Sequence, residues 1–156
     1  MRIFVAGASG ALGVQLVPDL VAAGHQVVAM TRTASKKDAL RALGAHAVVA
    51  DALDPDAVAS AVGEAEPEVI VHQLTALSGV LSAKDMRHPD RFFAVTNRLR
   101  TEATDHLLAA GRAVGARRFV AQSYAGWRCA RTGRPVLTEA DPIDLDPPAT
   151  VLRPGL

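Results

Sequence analysis

Short apolar runs alternate with longer amphipathic stretches from the first residues of the chain to about residue 122. Residues 2–6 (RIFVA) are β-branched and aromatic and stop at Gly7, which predicts a buried strand. Residues 11–23 place Leu12, Leu16 and Leu20 at helical spacing, with Val17 and Val21 beside them. Pro18 falls inside that helix, where it removes a hydrogen bond near Val14, and Gly24 closes it. Further strands are predicted at 25–30 (HQVVAM), 45–50 (AHAVVA), 68–72 (EVIVH) and 117–122 (RRFVAQ). Helices separate them: 36–43, closed by Gly44; one opened by Asp54 as N-cap with Pro55 at the first helical position; and one long helix from Pro89 to about Val114. Strands that are apolar throughout are covered on both faces. The strict alternation therefore predicts an α/β fold, a doubly wound parallel sheet of order 3-2-1-4-5 with helices on both sides.

The pattern changes after Gly126. Residues 1–127 are expected to form one domain and 128–156 an irregular, proline-rich segment, since Pro135, Pro142, Pro147 and Pro148 interrupt any helical or strand period. Only ATVLR at 149–153 has strand character, a candidate sixth strand that Pro154-Gly155 stops at once. A chain of 156 residues with 49% hydrophobic positions suits one domain and can build a core without disulfides or structural metals. A formal net charge of +1 and 4% aromatics argue against a nucleic-acid partner. No apolar run approaches a membrane span, and the chain opens on MRIFVAG without a signal peptide. With Cys129 as its one cysteine, the expectation is a soluble, cytoplasmic protein with no membrane partner. The five histidines show no paired ligand spacing, so no metal site is expected.

Candidate chemistry begins where the first strand ends, in Gly7-Ala8-Ser9-Gly10-Ala11-Leu12-Gly13. Gly7 permits a tight turn, Gly10 lets a pyrophosphate approach the backbone, and Gly13 lets the following helix pack closely on the sheet. The helix start adds amide donors and a positive dipole end. Because this turn opens a strand–helix–strand unit, a Rossmann-type dinucleotide site is favoured over a plain glycine-rich turn.

The GxxGxxG spacing, with Asn97 and the FVAQSYAGW segment, resembles the short-chain dehydrogenase/reductase superfamily, in its extended, NAD-dependent epimerase/dehydratase-like branch. The resemblance covers about residues 1–127. It implies cofactor contacts from Gly7, Ser9, Gly10, Ala11, Leu12 and Gly13, an adenine contact from Asp51 with Ala52 behind it, and a nicotinamide-ribose wall at Leu74 and Thr75. It also implies that Asn97 organises backbone near the active site and that Ser123 polarises the substrate oxygen. At the end of the second strand, 19 residues after Gly13, Arg32 stands where an acidic residue would favour NAD; an arginine can pair with a 2′-phosphate, so NADP is expected, with NAD as the alternative. His72, at a strand end, is expected to be a packed, hydrogen-bonded residue.

The superfamily's Tyr–Lys pair is not found. Lys84 is the last of three lysines, and Tyr124 with Arg128 has the spacing but follows the strand directly, so this pair is rejected as the dyad. Thr138-Glu139 and Val151–Gly155 resemble segments that flank the family's tyrosine helix, whose own residues are not found between them. Three functions follow: an NADP-linked oxidoreductase or epimerase-like enzyme moving hydride between the nicotinamide and a carbonyl or alcohol carbon of a small substrate, a dinucleotide-binding module or sensor without turnover, or a Rossmann-like scaffold that binds no cofactor. A fifth strand left uncovered around Phe119–Ala121 would make the protein marginally stable, sticky or a homodimer.

Overall fold

The structure, a computed structural model, describes residues 1–77 and 89–122 together with 138, 141 and 142. Met1–Gln122 form one compact unit. Residues 123–154 belong to a second. Within it the Thr138 N–H donates to the Asp141 carboxylate (2.7 Å) and the Asp141 N–H returns to the Thr138 carbonyl (3.0 Å).

The first unit contains β1 (Arg2–Ala6), α1 (Gly13–Ala22), β2 (Gln26–Thr31), α2 (Lys37–Ala42), β3 (His46–Val49), α3 (Pro55–Ala65), β4 (Val69–His72), α4 (Pro89–Arg100), α5 (Glu102–Ala113) and β5 (Arg118–Ala121). A single turn of 3₁₀ helix, Ala34–Lys36, leads into α2. All strand pairs are parallel and the order is β3-β2-β1-β4-β5, as the alternation of elements predicts. The candidate strand 149–153 lies outside the described residues.

Local chemistry explains the boundaries. Asp54 caps α3 by accepting from the N–H groups of Asp56 (3.0 Å) and Ala57 (3.1 Å), with Pro55 beginning the helix. The long helix expected from 89 to about 114 is instead two helices that meet at Thr101. There the Thr101 hydroxyl and its own N–H both donate to the Asn97 carbonyl, each at 3.0 Å, and ψ of Thr101 turns to −78°. Side-chain bonding to the carbonyl four residues back bends a helix, and periodicity alone carries no sign of it.

The sheet is apolar on both sides because neighbouring residues of one strand face opposite cores. Phe4, Ala6, Met30 and Ile70 pack with Val58, Val62 and Leu107 of α3 and α5; Ile3, Val5, Val27, Ala29 and Val71 pack with Val17 of α1 and Leu40 of α2. Truncating the fully buried Phe4 to alanine would cost about 3–5 kcal/mol. In β5 only Phe119 joins a core, while Val120 is 50% exposed. Register aligns Ala6 with Met30 on one side and with His72 on the other, and His72 with Ala121. The carboxyl ends of the strands therefore finish level, at one edge. No helix among the described residues is long and apolar enough to cross a membrane.

Candidate functional site

At that edge the order of strands reverses direction between β1 and β4, the place where doubly wound sheets leave a crevice. A cleft of about 540 Å³ opens there, within the range of cofactor sites.

Its floor is the turn from β1 into α1. Gly7 takes φ +91°, and a Cβ on it would stand 2.7 Å from the Gln73 carbonyl carbon and 2.9 Å from the Leu74 nitrogen. Torsion and the neighbouring chain both exclude a side chain. Gly13 is equally confined, since a Cβ there would lie 2.5 Å from the Ala8 oxygen; α1 begins in direct contact with the turn. Gly10 is different. Its Cβ would meet only the Gly7 oxygen, at 3.2 Å, so its bare face opens on the cleft. Two bonds tie this turn to β2: Ala8 N–H to the Met30 carbonyl (3.3 Å), and the Ser9 hydroxyl to the buried Thr31 hydroxyl (3.0 Å).

The end of β2 supplies Arg32, with Lys36 from the 3₁₀ turn beside it; both line the cleft and both are exposed. The end of β3 supplies Asp51, Ala52 and Leu53. Asp51 accepts from the Leu53 N–H (3.0 Å) and so shapes its own turn while its carboxylate stays exposed to the cleft. The Ala52 carbonyl accepts from Nδ1 of His106 on α5 (3.0 Å), which anchors the turn from behind.

The wall beyond β4 is the segment Gln73–Leu77. His72 is buried at its base, with 5% of its surface exposed. Its Nδ1 accepts from the Leu74 N–H (3.1 Å), so the proton is on Nε2, which donates to the Leu99 carbonyl (3.0 Å). Burial pushes the imidazole below the usual histidine range and the Arg100 charge adds to this, against the opposing bond to Leu99. The ring is neutral and held edge-on to Phe119. It is a structural histidine, as its place at a strand end predicts.

The residues expected from sequence divide as follows. Gly7, Ser9, Gly10, Ala11, Leu12, Arg32, Asp51, Ala52, Leu74 and Thr75 come together around this cleft. Gly13 and Asn97 are not among its lining residues; Gly13 seats α1, and the Asn97 carbonyl receives the two Thr101 bonds. Ser123, Tyr124 and Arg128 lie outside the described residues. Sequence reasoning missed Lys36, Val95 and Gln122, which also line the cleft. For Lys36 a signal existed, a second cation four positions after Arg32; for Val95, on a helix distant in sequence, none did.

The donor set fits a dinucleotide. The open face at Gly10 is a cradle that any side chain would fill, next to the start of α1. In the same lining, Oε1 of Gln73 is buried without a hydrogen-bond partner among the described residues, an acceptor that a ligand donor would satisfy.

Comparison with known proteins agrees with this geometry. The profile of an NAD(P)H-binding family matches residues 7–141. A 3-diazoavenalumate denitrifying reductase from Streptomyces is 52% identical over 148 residues, covering 95% of this chain and 45% of that protein. The UDP-glucose 4-epimerase of Thermus thermophilus, solved in complex with NAD, superposes with a TM-score of 0.70 at 25% identity, over 92% of this chain and 44% of the other. The enzyme WbmG of Bordetella bronchiseptica, solved with NAD and UDP, shares the fold with a TM-score of 0.69 at 20% identity, over 92% of this chain and 44% of that one. The chain thus spans under half the length of each of these proteins.

Proposed function

The chain belongs to the NAD(P)H-binding family, and from that premise we propose that it is the cofactor domain of an NADP-dependent reductase of a small molecule. The single observation that carries the cofactor half of this reading is the cleft at the strand-order reversal, lined by the bare Gly10 face and by Arg32 and Lys36. Gly10 and the opening turn of α1 would receive the pyrophosphate, and the two cations would pair with a 2′-phosphate. Asp51 would meet the adenine edge while His106 keeps its turn in place. Leu74 and Thr75 would flank the nicotinamide ribose. When bound in its reduced form, the cofactor supplies the hydride. On a carbonyl or alcohol substrate Ser123 keeps the oxygen-polarising role that the superfamily resemblance gives it, and Asn97 keeps the organising role.

The substrate proposed first is a diazo compound, the class that names the Streptomyces relative. Titration with NADPH and NADH, followed by nicotinamide fluorescence, tests the cofactor reading. Tighter binding of NADPH is expected, and a folded protein that binds neither would overturn it. Steady-state NADPH oxidation with a diazo acceptor, and separately with aldehydes and ketones, then tests the reductase reading. Binding without oxidation of any acceptor would leave a dinucleotide-binding module instead.

A further inference from the structure

The segment Gln73–Leu77 forms one wall of the cleft without being helix or strand, so its backbone N–H groups must find partners one by one. The Gln73 N–H completes the sheet on the Ala6 carbonyl (2.8 Å). The next partners are side chains. Leu74 donates to Nδ1 of His72 (3.1 Å), and Ala76 donates to the hydroxyl of Thr96 (3.1 Å). His72 also reaches the other way, donating from Nε2 to the Leu99 carbonyl (3.0 Å). Both side chains are buried, Thr96 completely. Thr96 and Leu99 are three residues apart on α4 and so share one face of it. Val95 and Leu99, from the same helix, line the cleft themselves.

The wall is thus fastened to α4 at two points, through an imidazole bridge and through a hydroxyl. Only a ring with one acceptor and one donor nitrogen can serve both ends of the bridge. We infer that His72 and Thr96 are positioning residues that hold the Gln73–Leu77 wall against α4, setting the width of the cleft on the side that receives the nicotinamide half of the dinucleotide. The inference rests on the dinucleotide reading for the identity of the ligand. The two fastenings themselves do not depend on it.

The experiment measures the affinity of His72→Phe, His72→Asn and Thr96→Val for NADPH and for adenosine 2′,5′-bisphosphate, which carries only the adenosine half. Losing one or two buried hydrogen bonds should weaken NADPH by about fivefold or more in His72→Phe and Thr96→Val, with the bisphosphate within about twofold of wild type. His72→Asn, whose Oδ1 can accept from Leu74 but whose shorter side chain leaves the Leu99 carbonyl unmet, should recover only part of the loss. Unchanged NADPH affinity, or equal weakening of both ligands, would overturn the inference. Should His72→Phe fail to fold, Thr96→Val decides alone. If the wild type binds neither ligand, the dinucleotide reading falls, and amide exchange decides the clamp. Exchange at Leu74 or Ala76 should then accelerate in the corresponding variant while Val5 and Val71 keep their protection, and unaltered exchange at both would refute the clamp.

Discussion

Gly7 and Gln73 stand so close that a methyl group on the former would lie 2.7 Å from the carbonyl carbon of the latter. The turn after β1 and the wall after β4 are therefore one interlocked structure, and the cleft lies over the joint.

Two glycines of this turn should respond to substitution in different ways. Gly7→Ala adds a side chain at φ +91° and drives it into backbone that cannot rotate away, so the fold should lose roughly 1–3 kcal/mol. Gly10→Val brings its Cβ to 3.2 Å from the Gly7 carbonyl oxygen, a tight contact that a shift of a few tenths of an ångström relieves; stability should fall less than in Gly7→Ala while dinucleotide affinity falls at least about tenfold, or ~1.4 kcal/mol. Chemical denaturation paired with NADPH titration separates the two. A Gly10→Val protein that folds and binds normally would remove the cradle assignment.

The contrast shows how far the chain could be read in advance. Strand order, the glycine turn and the Asp54-Pro55 start of α3 were legible because each depends on local periodicity or on a residue with one strong backbone preference. The break at Thr101 was not, because it depends on which way a hydroxyl turns. The double fastening of the β4 wall was hidden for another reason: His72, Thr96 and Leu99 meet only after α4 packs beside the sheet. In the cleft, most residues at strand ends were found, Gln122 after β5 being an exception, and those contributed by α4 were not. Strand ends are marked in a sequence by where an apolar run stops. Nothing comparable marks the face a helix turns toward a ligand.

His72 should make stability depend on pH. Its folded-state pKa lies below the unfolded value because the ring is buried, with the bond to the Leu99 carbonyl opposing this and the Arg100 charge acting in the same direction as burial. As pH falls below about 6.5, the unfolded chain takes up a proton that the folded one still excludes. The stabilisation is thus complete above that pH and is lost as pH drops through the depressed folded-state value. Urea midpoints measured from about pH 8 to about pH 5 should fall at the acid end. In His72→Phe this part of the slope should disappear, and an identical slope in both proteins would exclude His72 as its source.

His106 should matter to the adenosine half alone. Its Nδ1–H is the bond that holds the Ala52 carbonyl, and the turn on either side of that carbonyl carries Asp51 and Leu53 to the cleft. His106→Ala should lower stability by about 0.5–1.5 kcal/mol, the usual net value of one such bond, and weaken adenosine 2′,5′-bisphosphate several-fold. Nicotinamide mononucleotide, which does not reach that turn, should bind as before. Equal loss for both halves would mean that α5, rather than the turn, has been disturbed.

Cofactor choice turns on Arg32 and Lys36. Both line the cleft from the segment just after β2, and both are exposed, so their pairing with a phosphate is partly screened by water. Arg32→Ala should weaken NADPH by ~1–2 kcal/mol, roughly five- to thirtyfold, and leave NADH almost unaffected, since NADH has no 2′-phosphate. Lys36→Ala should act in the same direction and less strongly, because an ammonium offers a point charge where a guanidinium offers a two-pronged donor. If the two cations grip one phosphate, their effects should not add: with one removed the phosphate shifts toward the other, so the double variant should lose more than the sum of the singles. Raising the salt concentration should narrow the NADPH preference of the wild type and do little to that of the double variant. A wild type that prefers NADH, or an Arg32→Ala protein that loses both cofactors equally, would assign these cations to the surface and not to the 2′-phosphate.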